Sequence, residues 1–349
     1  MRFIVLVICL FVGFACSEDK GTSNADAVIE SVTVDAKPFG EEVPLKRPKA
    51  ASVAMNGDLY VVDDGYEQPI LRFSPSGQLL DSFGIRGGGP GQLGSVRDII
   101  APSRYSDSTY IIEFDKKSVL VYHDGDFIRQ YKLPGDGYPR FATYTDRGTV
   151  MLGYTYDTTL AREINIHTGE WIDSNALVRY PVNHYPNLPE GLEMEFFLGY
   201  VLKGYPADRT YLFSMETDIL QIFEKGRTNA TIITGPDKYN PKWKGDGGLY
   251  LANPIRAFGR PSVLCDNHIL ISYSGESERE DNPMYYQSSS LLLFNVSSRQ
   301  YERSYKLSPD IRWNRGAISC DSNVMYIIDE NEDREGASIF KVFLDQLSL

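Results

Sequence analysis

Six recurrences of one strand phrase, tight polar turns between them and little helical periodicity predict an all-β chain, a six-bladed β-propeller of four-stranded antiparallel blades. The second strand of each repeat is the clearest. It reads Asp58-Leu-Tyr-Val-Val-Asp63, Ser108-Thr-Tyr-Ile-Ile-Glu113, Gly148-Thr-Val-Met-Leu-Gly153, Arg209-Thr-Tyr-Leu-Phe-Ser214, Asn267-His-Ile-Leu-Ile-Ser272 and Asn323-Val-Met-Tyr-Ile-Ile328. Aromatics at 12% of the chain lean the same way, since flat side chains pack well on a pleated surface. A third strand follows each time, at 70–73, 119–122, 163–166, 219–223, 291–294 and 339–343. The repeats recur at about 40 to 60 residues, a period of propellers and solenoids. Asn56-Gly57, Ser76-Gly77, Asp146-Arg147-Gly148 and His167-Thr168-Gly169 mark the hairpins.

Closure of the ring is a separate expectation. The last repeat stops soon after its third strand, and Val28-Ile-Glu-Ser-Val-Thr-Val34 precedes the first repeat with no partner of its own. That N-terminal strand is expected to complete the last blade at its outer edge, since an unclosed ring exposes unpaired backbone groups.

The N-terminus carries an address. Arg2 precedes an apolar run from Phe3 to Phe14, followed by Ala15-Cys16 and the polar Ser17-Glu18-Asp19-Lys20. The run is too short to span a bilayer as a helix and has the length and flanks of a signal-peptide core. Cys16 stands where a bacterial lipoprotein signal places its acylated cysteine; the alternative is plain secretion with cleavage near Ala15. The chain thus divides into a signal peptide at 1–15, a polar tether at 16–27 and a propeller at 28–349. Acyl chains on Cys16 would anchor it to the outer membrane of a cell envelope, each buried methylene contributing about 0.8 kcal/mol. A net charge of −12 argues against nucleic acid as a partner.

Cys9 lies in the signal and Cys16 is the proposed anchor, which leaves Cys265 and Cys320. Both occupy the same place in successive repeats, in Val-Leu-Cys-Asp-Asn and Ile-Ser-Cys-Asp-Ser. Equivalent positions on neighbouring blades are expected to be too far apart for a bridge, so buried free thiols are expected rather than a disulfide.

The phrase Phe83-Gly84-Ile85-Arg86-Gly87-Gly88-Gly89-Pro90-Gly91-Gln92-Leu93 resembles the inter-blade signature of TolB-like and NHL-like six-bladed propellers, many of them exported Gram-negative lipoproteins. Asp58-Leu-Tyr-Val-Val-Asp63, followed by Ile70-Leu-Arg-Phe73 and Gly77, resembles the NHL-type blade phrase. The resemblance implies the fold and a binding role, with no defined activity.

Connections within blades alternate between the two ends of the ring. Those joining strands one to two and three to four are short. Those joining two to three, and the crossings to the next blade, hold the long segments 84–96, 175–195, 235–254, 274–287 and 329–336. Long loops in a compact domain are more often functional than neutral. They and their flanks are rich in aromatics, among them Tyr138, Tyr239, Trp243 and Trp313, which offer broad contact area with a polar tip. Arg47, Arg97, Arg140, Arg256 and Arg315 stand at or just before the innermost strands. There they form either a positive collar for carboxylate, sulfate or phosphate, or local pairs with acids such as Asp98 and Asp136. The candidate ligand-binding set is therefore Arg97, Arg140, Arg256, Arg315, Tyr138, Tyr239, Trp243 and Trp313.

No catalytic or metal constellation stands out. Gly87-Gly-Gly-Pro-Gly91 lacks the Lys-Ser/Thr and following helix of a phosphate loop and reads as a stiff blade crossing. Asp329-Glu-Asn331-Glu-Asp333 begins like a calcium loop, but Arg334 and Phe340 stand where glycine and an acid belong. The four histidines, His123, His167, His184 and His268, show no metal-ligand spacing. The expectation is a binding or scaffold lipoprotein without a cofactor, recruiting a glycan, peptide or envelope protein. The alternative is a propeller-type hydrolase or lyase using loop carboxylates or His184.

Overall fold

The apolar runs of the repeats become strands because each has two faces to bury. In Leu59–Asp63, Leu59 and Val61 pack into one hydrophobic cluster and Tyr60 and Val62 into another. Alternation with period two thus serves two seams at once, and every residue of the strand is buried. The computed structural model describes residues 31–40, 43–133, 138–144, 148–155, 159–172, 177–178, 199–203, 209–214, 218–224, 230–238, 243–245, 249–251, 256–265, 267–277, 287–308, 311–329 and 337–347.

Five successive sheets take four antiparallel strands each from one stretch of chain. Sheet one holds Pro48–Val53, Leu59–Asp63, Ile70–Phe73 and Leu79–Phe83; sheet two holds Val96–Ile100, Thr109–Glu113, Ser118–His123 and Asp126–Lys132. Sheet three runs Tyr138–Tyr144, Val150–Thr155, Thr159–Asn165 and Glu170–Trp171, and sheet four Gly199–Lys203, Arg209–Ser214, Ile219–Glu224 and Thr231–Thr234. Sheet five has Arg256–Cys265, His268–Ser277, Ser290–Asn295 and Gln300–Ser308. The last sheet is composite: Trp313–Ser319, Val324–Asp329 and Ser338–Phe343 from the C-terminal end, with Lys37–Phe39 from the N-terminal end.

The first strand of each sheet packs on the first strand of the next, and that of the last sheet packs on that of the first. The arrangement is a β-propeller with almost no helix; the short 3-10 turn Leu344–Leu347 is the helical element among the described residues. Its core is a series of radial seams between facing sheets. Uniform four-stranded blades are a partial match. Leu177–Val178 adds a fifth strand to sheet three, and Ser31–Asp35 adds one to sheet five.

Ring closure departs from expectation. The stretch 28–34 does not edge the last blade: Ser31–Asp35 lies parallel to Gln300–Ser308, on the outer edge of sheet five. The backbone N–H of Ala36 then donates to Ser308 O at 2.8 Å, and the next strand, Lys37–Phe39, completes the last sheet against Ser338–Phe343. The reason is apolar burial. Val34 belongs to the cluster between sheet five and the last sheet, while Phe39 reaches the cluster between the last sheet and sheet one. The Phe39 ring lies 4.6 Å from that of Tyr326 and 6.4 Å from that of Phe73, measured between centroids. Gly77, at φ +92°, lets the adjoining turn approach: a Cβ there would stand 2.8 Å from the backbone N of Gly40.

The cysteines are a second correction. Cys265 and Cys320 form a disulfide across sheet five and the last sheet, with Cα atoms 5.6 Å apart. Each sits at the end of a first strand, close to the ring axis, where neighbouring strands pack directly. Equivalent positions diverge only towards the rim.

Candidate ligand-binding face

The starts of the first strands and the ends of the second strands lie at one end of the ring, together with the crossings between sheets. Two buried acids organise this end. Asp63, at the end of a second strand, accepts the backbone N–H groups of Lys46, Arg47 and Gly65 at 2.7, 2.8 and 2.7 Å. Glu113, its counterpart in sheet two, accepts from Gly94 N–H and from Ser118 Oγ, and pairs with Lys116 at 3.3 Å. Both side chains are fully buried, so they pin the segments leading into sheets one and two instead of meeting a ligand.

The glycine-rich crossing is structural, as the sequence predicts. Ile85–Arg86 pairs in parallel with Gln92–Leu93. The N–H groups of Gly87, Gly89 and Gly91 donate to Leu93 O, Gln92 Oε1 and Gln130 Oε1. Tyr122 Oη donates to Gly91 O, and Lys116 Nζ to Gln92 O at 2.6 Å. The loop is fastened to sheet two and its amides face inward; it is no phosphate cradle.

Beside this crossing stands a four-tier stack. The Arg97 guanidinium lies 4.4 Å from the centroid of Phe114. Phe114 stacks on Tyr138 at 4.8 Å with 27° between the planes, and the Lys117 ammonium lies 4.2 Å over the Tyr138 ring. Cations over ring faces contribute about 0.5–1 kcal/mol each at exposed sites. Phe114 to Lys117 is a turn closed by Lys117 N–H on Phe114 O, and Lys117 holds φ +46°, a left-handed conformation that costs a non-glycine residue about 1 kcal/mol. The stack ties sheet two to sheet three.

The predicted set divides accordingly. Arg97 and Tyr138 come together through Phe114, which sequence reasoning did not single out, nor did it single out Lys117. Trp313 is corrected: it is 1% exposed in the core, its Nε1–H donating to Ser272 Oγ at 3.0 Å, and offers no face to a ligand. Arg315 is half-buried, its Nε–H donating to Lys49 O at 3.1 Å across the seam between the last sheet and the first. Arg47 turns to its own sheet, donating from Nη2 to Asp64 O. Asp98, weighed as an arginine partner, is buried and accepts from Ala142 N–H at 2.8 Å.

Arg140 lies in the first strand of sheet three, Arg256 opens that of sheet five, and Trp243 opens a two-stranded ribbon with Leu249–Leu251. Tyr239, His184, Asp136, Cys16 and most of the calcium-like segment lie outside the described residues. Among the described residues no group of three His, Cys, Asp or Glu side chains is placed to hold a metal ion, and no helix is long and apolar enough to cross a membrane.

The opposite end holds a cleft of about 260 Å³ between sheets one and two, lined by Met55, Tyr60, Arg72, Phe83, Asp107 and Asp124 among others. Its wall is an interior ion pair, Arg72 Nε–H donating to the buried Asp58 at 2.8 Å. Burial pushes the Tyr60 hydroxyl above its usual pKa, with Arg72 opposing.

No protein-family profile and no curated protein matches the chain. Solved structures do. A member of the DUF4221 family from Bacteroides vulgatus superposes with a TM-score of 0.59 at 13% identity, over 90% of this chain and 97% of that one. A protein of Bacteroides fragilis described as exported gives 0.51 at 11% identity, over 92% and 96%. Regucalcin, a calcium-binding protein from Agrobacterium tumefaciens, gives 0.51 at 10% identity, over 89% and 95%. These likenesses show a shared β-propeller fold.

Proposed function

We propose that the chain is an exported cell-envelope lipoprotein, anchored to the outer membrane through Cys16, that acts as a six-bladed binding or scaffold propeller. Its ligand, a glycan, peptide or envelope protein, is held at the end of the ring where the crossings gather. One observation carries this reading: cations and rings from sheets two and three, Arg97, Phe114, Tyr138 and Lys117, assemble at that end. Export is supported by the apolar run after Arg2 and by the Cys265–Cys320 disulfide, since such bonds persist in oxidising compartments. The count of six blades is supported by the closed succession of first strands. The TolB-like and NHL-like resemblance belongs to the same reading, supported by the crossing at 84–95.

The test is a glycan and peptide array probed with the purified chain. Binding that is lost in Arg97→Ala and Tyr138→Ala is the expected result. An array without signal, or binding indifferent to both variants, overturns the reading of this face. Turnover on a glycan or lactone panel would replace binding by catalysis. Cys16→Ala should release the protein from membranes; retention there removes the anchor.

A further inference from the structure

Five first strands break register with their neighbour; that of sheet five does so at several points, and each of the other four leaves one residue out near its start. In sheet one Pro48 pairs with Asp63 and Ala50 with Val62, which leaves Lys49 out of the ladder. In sheet two Val96 pairs with Glu113 and Asp98 with Ile112, leaving Arg97. In sheet three Pro139 pairs with Tyr154 and Phe141 with Gly153, leaving Arg140. In the last sheet Trp313 pairs with Asp329 and Arg315 with Ile328, leaving Asn314. A β-bulge re-aims its extra residue and recurs beside functional sites.

These positions open the strands that line the ring axis, at the end where the crossings gather. In three consecutive sheets the extra residue is a cation. Lys49 and Arg97 are exposed, while Pro48, Ala50, Val96 and Asp98 on either side of them are buried. Asp63 and Glu113 fix the segments just before two of these bulges. Arg315, beside the fourth bulge, reaches the Lys49 carbonyl, so the row continues across the closing seam.

The stack narrows the ligand chemistry. Phe114 has Arg97 on one side and Tyr138 on the other, and Tyr138 carries Phe114 and Lys117. Neither ring presents a face on which a neutral sugar would stack. What the first two bulges present instead is positive charge, on the exposed Lys49 and Arg97, and the third holds Arg140 at the matching register position, in a chain whose net charge is −12. Repeated cations suit repeated anions. A duplex nucleic acid, with one charge per about 1.7 Å on a stiff rod, would also meet the acidic remainder of the surface, which a flexible polysaccharide strand can avoid.

We propose that Lys49, Arg97 and Arg140 form an arc that binds an acidic polysaccharide through its carboxylate or sulfate groups. This rests on the ligand-binding reading of the same face and names the ligand class.

The experiment measures affinity of the full chain for polygalacturonate, dextran sulfate, neutral dextran and a DNA oligonucleotide. An acidic polysaccharide should bind with salt-sensitive affinity, and dextran should not. The triple variant K49Q/R97Q/R140Q should weaken binding at least tenfold, and K49R/R97K/R140K should retain most of it. Arg104→Gln, on the opposite end in a pair with Asp321, should bind as the parent does. Tighter binding of polygalacturonate assigns carboxylate, and tighter binding of dextran sulfate assigns sulfate. Parent-like affinity in a triple glutamine variant that melts like the parent overturns the arc. DNA binding as tight as that of the polysaccharides overturns the ligand class. If dextran or a neutral array glycan binds and the triple variant leaves it intact, the acidic class falls while the binding reading stands.

Discussion

The seam between sheet five and the last sheet and the seam between sheets two and three hold neighbouring blades together by different means. The first has backbone and covalent ties: Ser31–Asp35 and Lys37–Phe39 step from one sheet to the other, Cys265 bridges to Cys320, and Trp313 donates to Ser272. The second has Arg97, Phe114, Tyr138 and Lys117 stacked at the solvent-facing end, above an apolar cluster. At that first seam the N-terminal strands and the disulfide add to the ordinary passage of the chain from Gln300–Ser308 to Trp313–Ser319. At the second seam the outer layer is left to cations and rings.

The largest expected effect on this contrast is loss of the disulfide. With its cysteines 55 positions apart in the sequence, cross-link entropy amounts to about 4 kcal/mol, so Cys265→Ala/Cys320→Ala should lower the urea midpoint sharply. A parent-like midpoint would mean that the strands alone close the ring. Phe39→Ala should cost about 3 kcal/mol by emptying the site between Tyr326 and Phe73, read by the same titration.

Alkali gives a graded version. Burial raises the hydroxyls of Tyr301 and Tyr326, in sheet five and the last sheet, and of Tyr122, in sheet two, to about 12. The unfolded value is 10.0, so their contribution to stability is intact below pH 10 and is lost as pH rises towards 12. Tyrosinate absorbance and unfolding should therefore rise together in that window; ionisation of all tyrosines near pH 10 without unfolding would contradict the burial.

Smaller still, Trp313→Phe removes one buried N–H donor to Ser272 and should cost about 1 kcal/mol in chemical denaturation. The smallest effect belongs to the other seam. Lys117→Gly relieves the left-handed backbone and removes one half-buried cation from Tyr138, two terms of about 1 kcal/mol and opposite sign. The melting temperature should barely move, and a clear fall would show that the stack holds sheets two and three as firmly as the disulfide holds its own pair.

Much of the fold was legible because strand burial writes itself into composition. Each second strand read from the repeats coincides with one in the structure, as Asp58–Asp63 does with Leu59–Asp63. Neither the disulfide nor the clasp was legible in that way. Positional equivalence in a repeat says which blade a residue is on but not its distance from the axis, and that distance decides whether two cysteines meet. The strand that completes the last blade is Lys37–Phe39, beyond the stretch 28–34 expected there, because the parallel strand Ser31–Asp35 comes first on sheet five and, needing no turn, leaves no turn signal. In the site, Arg97 was found by its place at the start of a first strand, and Tyr138 among the aromatics of the loops and their flanks. Lys49 was missed in favour of Arg47, although Pro48-Lys49, Val96-Arg97 and Pro139-Arg140 share one phrase: a buried residue, then a cation. A bulge shifts the register by one, so simple alternation hides it.

The clasp also has a consequence in time. Ser31–Asp35 and Lys37–Phe39 leave the ribosome well before their partners, Gln300–Ser308 and Ser338–Phe343. Until then both are unpaired strands beside growing sheets, a state open to mispairing and intermolecular association. Contacts this distant along the chain form slowly. Closure of the ring thus waits for strands far apart in the chain to meet, and a nascent chain halted before Gln300 holds Ser31–Asp35 and Lys37–Phe39 with nothing to join.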